Sequence, residues 1–245
     1  MAKTFMPDVK KIVYIAEKDV KIYFFKGPNL TFGLLLPVVL YLAFAIGRTV
    51  DPTNAVPGLV AVAAFFGAGA IQAISLPLER RTGTFNSLVT APISLFTIML
   101  GKALAGFFFG IVLSFTYTII MIPFGSLPNL PLLIMGILVS SFMFSTFGLL
   151  LSAPFRDIPQ AMPPATVVRI AMVFLGGVFT PLTMLPTALQ TIAYALPLTY
   201  SVSALRQAWS GNINLQMYLV DSAVQIVFAI IFLVAATKIL KRTIE

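Results

Sequence analysis

Long apolar runs, separated by short polar or proline-marked intervals, organise the whole of this 245-residue chain. Six of them approach the ~20 residues that carry a helix across the hydrocarbon core of a bilayer. They fall at Leu30–Gly47, Val56–Leu78, Phe96–Ile122, Leu132–Ala153, Ala165–Phe179 and Tyr218–Leu240. Ahead of them, Val9, Ile12, Val13, Ala16, Val20 and Phe24 repeat at helical spacing on one face, while Lys10, Lys11, Glu17, Lys18 and Lys21 take the others. That pattern predicts an amphipathic helix in the membrane interface within residues 1–28, ended by Gly27 and Pro28. A solvated basic tail is the plainer alternative. The predicted fold class is therefore an all-α integral membrane protein, one transmembrane domain over residues 1–245.

Two intervals depart from the simple alternation. Residues 79–95 form a polar loop between the second and third spans, at one membrane face. Phe85, Leu88 and Val89 are spaced for one apolar stripe on a short helix there, with Thr82 or Thr84 placed to cap its start and Pro92 to end it. Residues 180–217 are broken by Pro181, Pro186 and Pro197, yet Leu185, Leu189, Ile192, Ala193 and Leu196 keep helical spacing. They predict one or two short helices that dip into the outer leaflet and return, since irregular backbone at that depth must be covered by protein or line a cavity.

Composition agrees with the pattern: 59% of residues are hydrophobic and 10% charged, with a mean hydropathy of +0.99, far from a soluble domain. The absence of cysteine and histidine removes disulfides, thiol metal sites and the commonest metal ligand. The net charge of +8 is read as a basic face held against anionic lipid rather than as nucleic-acid binding. Of the lysines and arginines, Arg48 and Arg206 alone fall on the far side of the predicted spans, so both termini and the 79–95 loop are expected in the cytoplasm. Met1 to Lys26 spreads its charges along its length and is not expected to be a cleavable signal.

The residues of the 79–95 loop and its border, Glu79, Arg80, Arg81, Gly83, Thr84, Leu88, Thr90, Pro92, Gly101 and Lys102, resemble the cytoplasmic coupling loop of type-2 ABC exporter permeases. A second resemblance to that family lies in Gly176, Gly177, Pro181, Pro186, Pro197, Tyr200 and Arg206, which match its extracellular re-entrant signature. Together the two cover nearly the whole chain. The resemblance implies a permease subunit in a cell membrane, paired with a second copy and with two ABC ATPase subunits. Glu79, Arg80, Arg81, Gly83, Thr84, Phe85, Leu88, Val89 and Pro92 are then the expected ATPase-coupling residues, the apolar stripe docking in a groove of the partner. On that reading Glu79→Ala and Leu88→Ala uncouple ATP use from transport without loss of expression.

No catalytic set, metal cluster or GxxxxGK[ST] motif occurs in the sequence, so no enzyme activity and no bound cofactor are expected here; ATP and magnesium belong to the partner. Gly106 and Gly110 form a small-residue ladder suited to close helix packing, within one subunit or at a dimer seam. Arg169 is expected to snorkel to the cytoplasmic interface. Gln72 is the main polar residue deep in the second span; Asp221 and Gln225 share a face of the sixth, with Asp221 expected to pair with Arg206 or to meet a substrate cation. The 22 phenylalanines against a single tryptophan point to a hydrophobic or amphipathic cargo, drug-like or lipidic, with a lipid-linked glycan as the second possibility. Rival classes are an ion-coupled secondary transporter, which needs midplane ionisable groups, an intramembrane lipid enzyme and an ATP-independent scaffold.

Overall fold

The computed structural model describes residues 8–23, 31–45, 52–122, 127–179, 181–210 and 212–244. Every regular element among them is helical. In chain order these are α1 (Asp8–Tyr23), a π-helical turn (Thr31–Leu35) running into α2 (Leu36–Ala45), α3 (Pro52–Arg81), α4 (Thr84–Val89), α5 (Leu95–Met121), α6 (Leu130–Ser152), α7 (Ile158–Leu175), a 3-10 turn (Leu182–Met184), α8 (Thr187–Tyr194), α9 (Pro197–Trp209) and α10 (Leu215–Ile244).

Among the described residues, five helices (α3, α5, α6, α7 and α10) are long and apolar enough to cross a membrane. They answer to five of the predicted spans. The expected first span is described only over Thr31–Ala45; Leu30, Ile46 and Gly47 lie outside the described residues. The helix starts follow local chemistry. Ser94 Oγ accepts the Thr97 N–H at 3.0 Å ahead of α5, Asn129 Oδ1 accepts the Leu132 N–H at 3.3 Å ahead of α6, and Asp157 Oδ1 accepts the Ile158 N–H at 2.7 Å ahead of α7. α7 begins seven residues before the expected Ala165 and runs through Pro163 and Pro164. Two prolines cost amide donors, but Ala161, Ala165, Arg169, Met172 and Val173 form one buried stripe down the helix, and that packing keeps the segment helical.

α3 is the central post. Its apolar window is entirely buried, against 28% for α7, and α5, α6, α7 and α9 pack around it. Small residues let them close in. A Cβ on Gly106 would lie 2.3 Å from Ser145 Oγ and 2.5 Å from the Ala68 carbonyl, and one on Gly110 2.8 Å from Ala68 Cβ. The small-residue ladder therefore packs α5 against α3 and α6 of the same chain. Gln72 bridges this crossing, donating to the Lys102 carbonyl and, at 3.4 Å, to Ser145 Oγ, which in turn donates to the Ala103 carbonyl at 2.6 Å. Several of the phenylalanines that composition linked to cargo pack on one another: Phe65 lies 4.7 Å from Phe144 and Phe147 5.1 Å from Phe232, ring centre to ring centre. Phe65, Phe66, Phe109, Phe144 and Phe147 are core, whereas Phe96, Phe108 and Phe174 are exposed.

The opposite end of the bundle gathers most of the proline and glycine signature. Gly177 ends α7 at φ 74°, a conformation open to glycine at little cost. Arg206 of α9 donates to the Gly177 carbonyl at 2.6 Å and to that of Val178 at 3.3 Å. A Cβ on Gly176 would lie 3.1 Å from Leu198 Cγ, Pro186 precedes α8, Pro197 opens α9, and the Tyr200 hydroxyl donates to the Tyr194 carbonyl at 2.7 Å. Pro181 is exposed beside the 3-10 turn. The short helices predicted for 180–217 are present. The expected Asp221–Arg206 pair does not form, because the guanidinium is taken by the backbone carbonyls at the end of α7. Asp221 is buried with Oδ2 unpartnered among the described residues. Its neighbour Gln225 accepts from Ser140 at 2.8 Å and donates to the Tyr200 carbonyl at 3.3 Å.

Candidate coupling site at the basic end

The chain's two halves meet at the end where α1, α4, the 153–157 loop and the last turn of α10 come together. α1 does not rest on its predicted face alone. Ile15, Ala16, Asp19 and Tyr23 are buried, whereas Val9 and Val13 are 70% and 53% exposed. The helix is turned so that one apolar stripe meets α5 and a second faces outward. Gly101 makes the contact close: a Cβ there would lie 2.8 Å from Ile15 Cβ.

Asp19 sits in the middle of the buried stripe and brings four charges together. Lys102 Nζ, fully buried, lies 2.9 Å from Asp19 Oδ2 and 2.7 Å from Glu79 Oε2. Lys18 Nζ closes the square from the rim, 3.0 Å from Asp19 Oδ1 and 2.5 Å from Glu79 Oε1. Two cations and two anions alternate, which is how such charges are tolerated away from water. Burial opposes the charge on Lys18, but Asp19 and Glu79 outweigh it and raise its pKa above 10.5. Burial, then Glu79 and Asp19, push the Tyr23 phenol up, so it stays protonated. The cluster ties α1 to the last turn of α3 and the first turns of α5. Lys11 adds a tie to the loop, donating to the Pro92 carbonyl at 3.2 Å.

α4 hangs between α3 and α5. Gly83, at φ 76°, makes the turn out of α3 and caps α4 without a side-chain bond. The threonines expected to cap it face back instead: Thr82 Oγ1 donates to the Leu78 carbonyl at 2.9 Å and Thr84 Oγ1 to that of Glu79 at 3.4 Å. Phe85 is 2% exposed and joins Leu76, Ile98, Leu149 and Leu240 in a core cluster against which Leu88 and Val89 pack. The apolar stripe therefore anchors α4 to its own subunit. What α4 shows outward is polar: Asn86, Ser87 and Thr90, with Arg81, Thr82 and Thr84 before them and Pro92 after.

This geometry redistributes the predicted site. Glu79 and Phe85 are buried, and the half-buried Leu88 and Val89 pack against the same core. Arg80 and Arg81 brace neighbouring loops. Arg80 Nη1 donates to the Ala153 and Phe155 carbonyls, each at 2.9 Å, and Arg81 Nη1 meets Asp157 at 3.3 Å. Arg80, Phe85, Asn86, Arg156, Thr243 and Ile244 line a cavity of about 290 Å³. Arg156 is held there by donating to the Thr243 carbonyl at 2.8 Å. Sequence reasoning missed Asp19, Lys18 and Arg156. For Asp19 there was a signal: a carboxylate four residues from Ile15 and from Tyr23 on one helix face.

The architecture is that of a multi-helix membrane protein with a short polar-faced helix slung beneath two spans. The family model for ABC-2 type transporter matches residues 18–209, and the chain belongs to that family. Among curated proteins it is 26% identical over 181 residues to the probable multidrug ABC transporter permease YbhR of Escherichia coli K12, covering 71% of this chain and 45% of that one. It is 30% identical over 167 residues to the putative transport permease ycf38 of Cyanophora paradoxa, covering 64% and 55%. It is 25% identical over 191 residues to the inner membrane transport permease YadH of Escherichia coli K12, covering 76% and 73%. The matched region thus spans about half the length of the first two relatives. The chain is a multi-pass membrane member of the ABC-2 type transporter family.

Proposed function

We propose that the chain is the permease subunit of an ATP-driven exporter, working as two copies side by side and driven by a separate pair of ABC ATPase subunits that bind ATP and magnesium. The ATPase docks at the α4 end, which lies in the cytoplasm with both termini, in a plasma membrane. The segment between α7 and α10 re-enters the membrane from the outside. The cargo is hydrophobic or amphipathic, drug-like or lipidic, in keeping with the name of the multidrug relative.

One observation carries this reading: α4 is fixed from behind and polar in front. Its apolar face packs on the core and the end of α3 from which it hangs is held by the Lys18, Asp19, Glu79 and Lys102 square, while Asn86, Ser87 and Thr90 are exposed, Asn86 lining the cavity with Arg80 and Arg156. A push on such a helix is passed to α1, α3 and α5 together rather than lost in loop motion. Each ligand then acts only through its different affinity for the inward- and outward-facing states. The chain has no cysteine, so Ser87→Cys places a single thiol on the docking face. A bifunctional reagent should join it to a co-expressed ABC ATPase, and a thiol on outer-end Thr187→Cys should not join. Equal or absent joining at both positions would refute docking at α4.

A further inference from the structure

Arg169 lies at mid-depth of α7, 5% exposed, on the stripe that faces α3. It does not snorkel. Its Nη2 donates to the Gly69 carbonyl at 2.8 Å, and its Nε has no partner among the described residues. No described carboxylate pairs with it: Asp19 and Glu79 are held by Lys18 and Lys102, and Asp157 by Arg81. Helical rise sets Gly69 about 15 Å along α3 from Glu79 and about 25 Å from Pro52 at the helix start, so neither end of α3 brings a counter-charge near. One backbone carbonyl does not balance a guanidinium inside a membrane bundle, where an ionised group is costly and marks function.

The surroundings are built for the group. Gly69 leaves a cradle that a Cβ would fill: it would stand 2.8 Å from Arg169 Nη2, 3.1 Å from Cζ and 3.4 Å from Nε. The planar fork carries five N–H donors, suited to an oxyanion with two acceptor oxygens. α7 is the least enclosed of the five long helices, so the α3–α7 seam is the one that parts with least disruption of the core. We propose that Arg169, seated on Gly69, receives the oxyanion head group, phosphate or carboxylate, of an amphipathic cargo. This rests on the permease reading above and narrows its cargo to anionic amphipaths.

The test is binding of dodecyl phosphate to the full chain in phosphatidylcholine nanodiscs, against dodecyl maltoside and dodecyltrimethylammonium as neutral and cationic probes of equal chain length. The expected result is a preference of the unaltered chain for dodecyl phosphate by roughly ten- to a hundredfold, the range of a charge-assisted hydrogen-bonded pair. Arg169→Gln, which removes the charge, and Gly69→Ala, which fills the cradle, should each bring the ratio close to one. No preference in the unaltered chain, or a preference surviving both substitutions, would overturn the proposal, and the first arm needs no variant to fold. Competition by added phosphatidylglycerol would assign the site to a resident lipid and overturn the cargo assignment. No ATPase is present in the measurement, so its failure leaves ATP-driven transport to be judged by the α4 cross-link.

Discussion

Replacing Lys102 with methionine removes one corner of the four-charge square and keeps most of the side-chain volume. Lys102 is fully buried between Asp19, also fully buried, and Glu79, 3% exposed. Without it, two carboxylates share one remaining cation, Lys18, whose side chain is 35% exposed. Breaking a buried ion pair from one side costs about 3–5 kcal/mol, because the partner's charge stays buried without compensation. The loss should fall on the seam that fixes α1 to α3 and α5. Lys21→Met is the control, since Lys21 pairs with Glu17 at 73% and 50% exposure, and such pairs are worth about 1 kcal/mol or less. Denaturant-induced unfolding in mixed micelles, followed by helix content, reads both variants on one scale. A large loss for Lys102→Met beside a near-zero loss for Lys21→Met is expected. Equal, small losses would refute the buried square, as would full rescue of Lys102→Met by high salt, which screens surface charges and not interior ones.

The remaining predictions concern packing and pH. Phe85→Ala empties a filled position behind α4 and should cost about 3–5 kcal/mol in the same unfolding assay. Gly106→Ala forces a methyl toward the Ala68 carbonyl and Ser145, and should cost about 1–3 kcal/mol or more, with Gly83→Ala destabilising through backbone strain at φ 76° instead of crowding. Lys18 is charged in the folded state up to a pKa raised above 10.5. Its stabilising share is therefore complete below 10.5 and is lost as pH climbs through the raised value. Thermal stability should lack a Lys18-dependent change from about pH 7 to 9, and the Lys18→Met difference should shrink only at higher pH.

Much of the bundle was legible because spans are written in runs of apolar residues, and the runs around Phe96–Ile122 and Leu132–Ala153 matched α5 and α6 within two residues. α7 was read short because Pro163 and Pro164 look like a break locally, while the packing that overrides them comes from α3. The short helix in the 79–95 interval was legible from its spacing, but the direction its apolar side faces was not. Spacing shows that Phe85, Leu88 and Val89 share a side; it does not show whether that side meets a partner or the subunit's own core. Likewise Glu79 reads as an exposed loop charge until Asp19 and Lys102, 60 and 23 residues away in sequence, are seen to close on it. Asp221 and Arg206 illustrate the reverse. Opposite charges at one membrane end suggested a pair, but the carbonyls left at the end of α7 claimed the arginine first.

The most direct test of the account is ATP turnover by the ABC ATPase reconstituted with this chain in nanodiscs, comparing the unaltered chain with Ser87→Arg and Asn86→Arg. Both residues are exposed on α4, so unfolding stability should be unchanged while the permease-dependent part of turnover falls by about tenfold, the loss expected when a docking contact worth about 1.4 kcal/mol is blocked. Turnover that responds equally to the permease with or without these arginines, at unchanged stability, would contradict coupling through the polar face of α4.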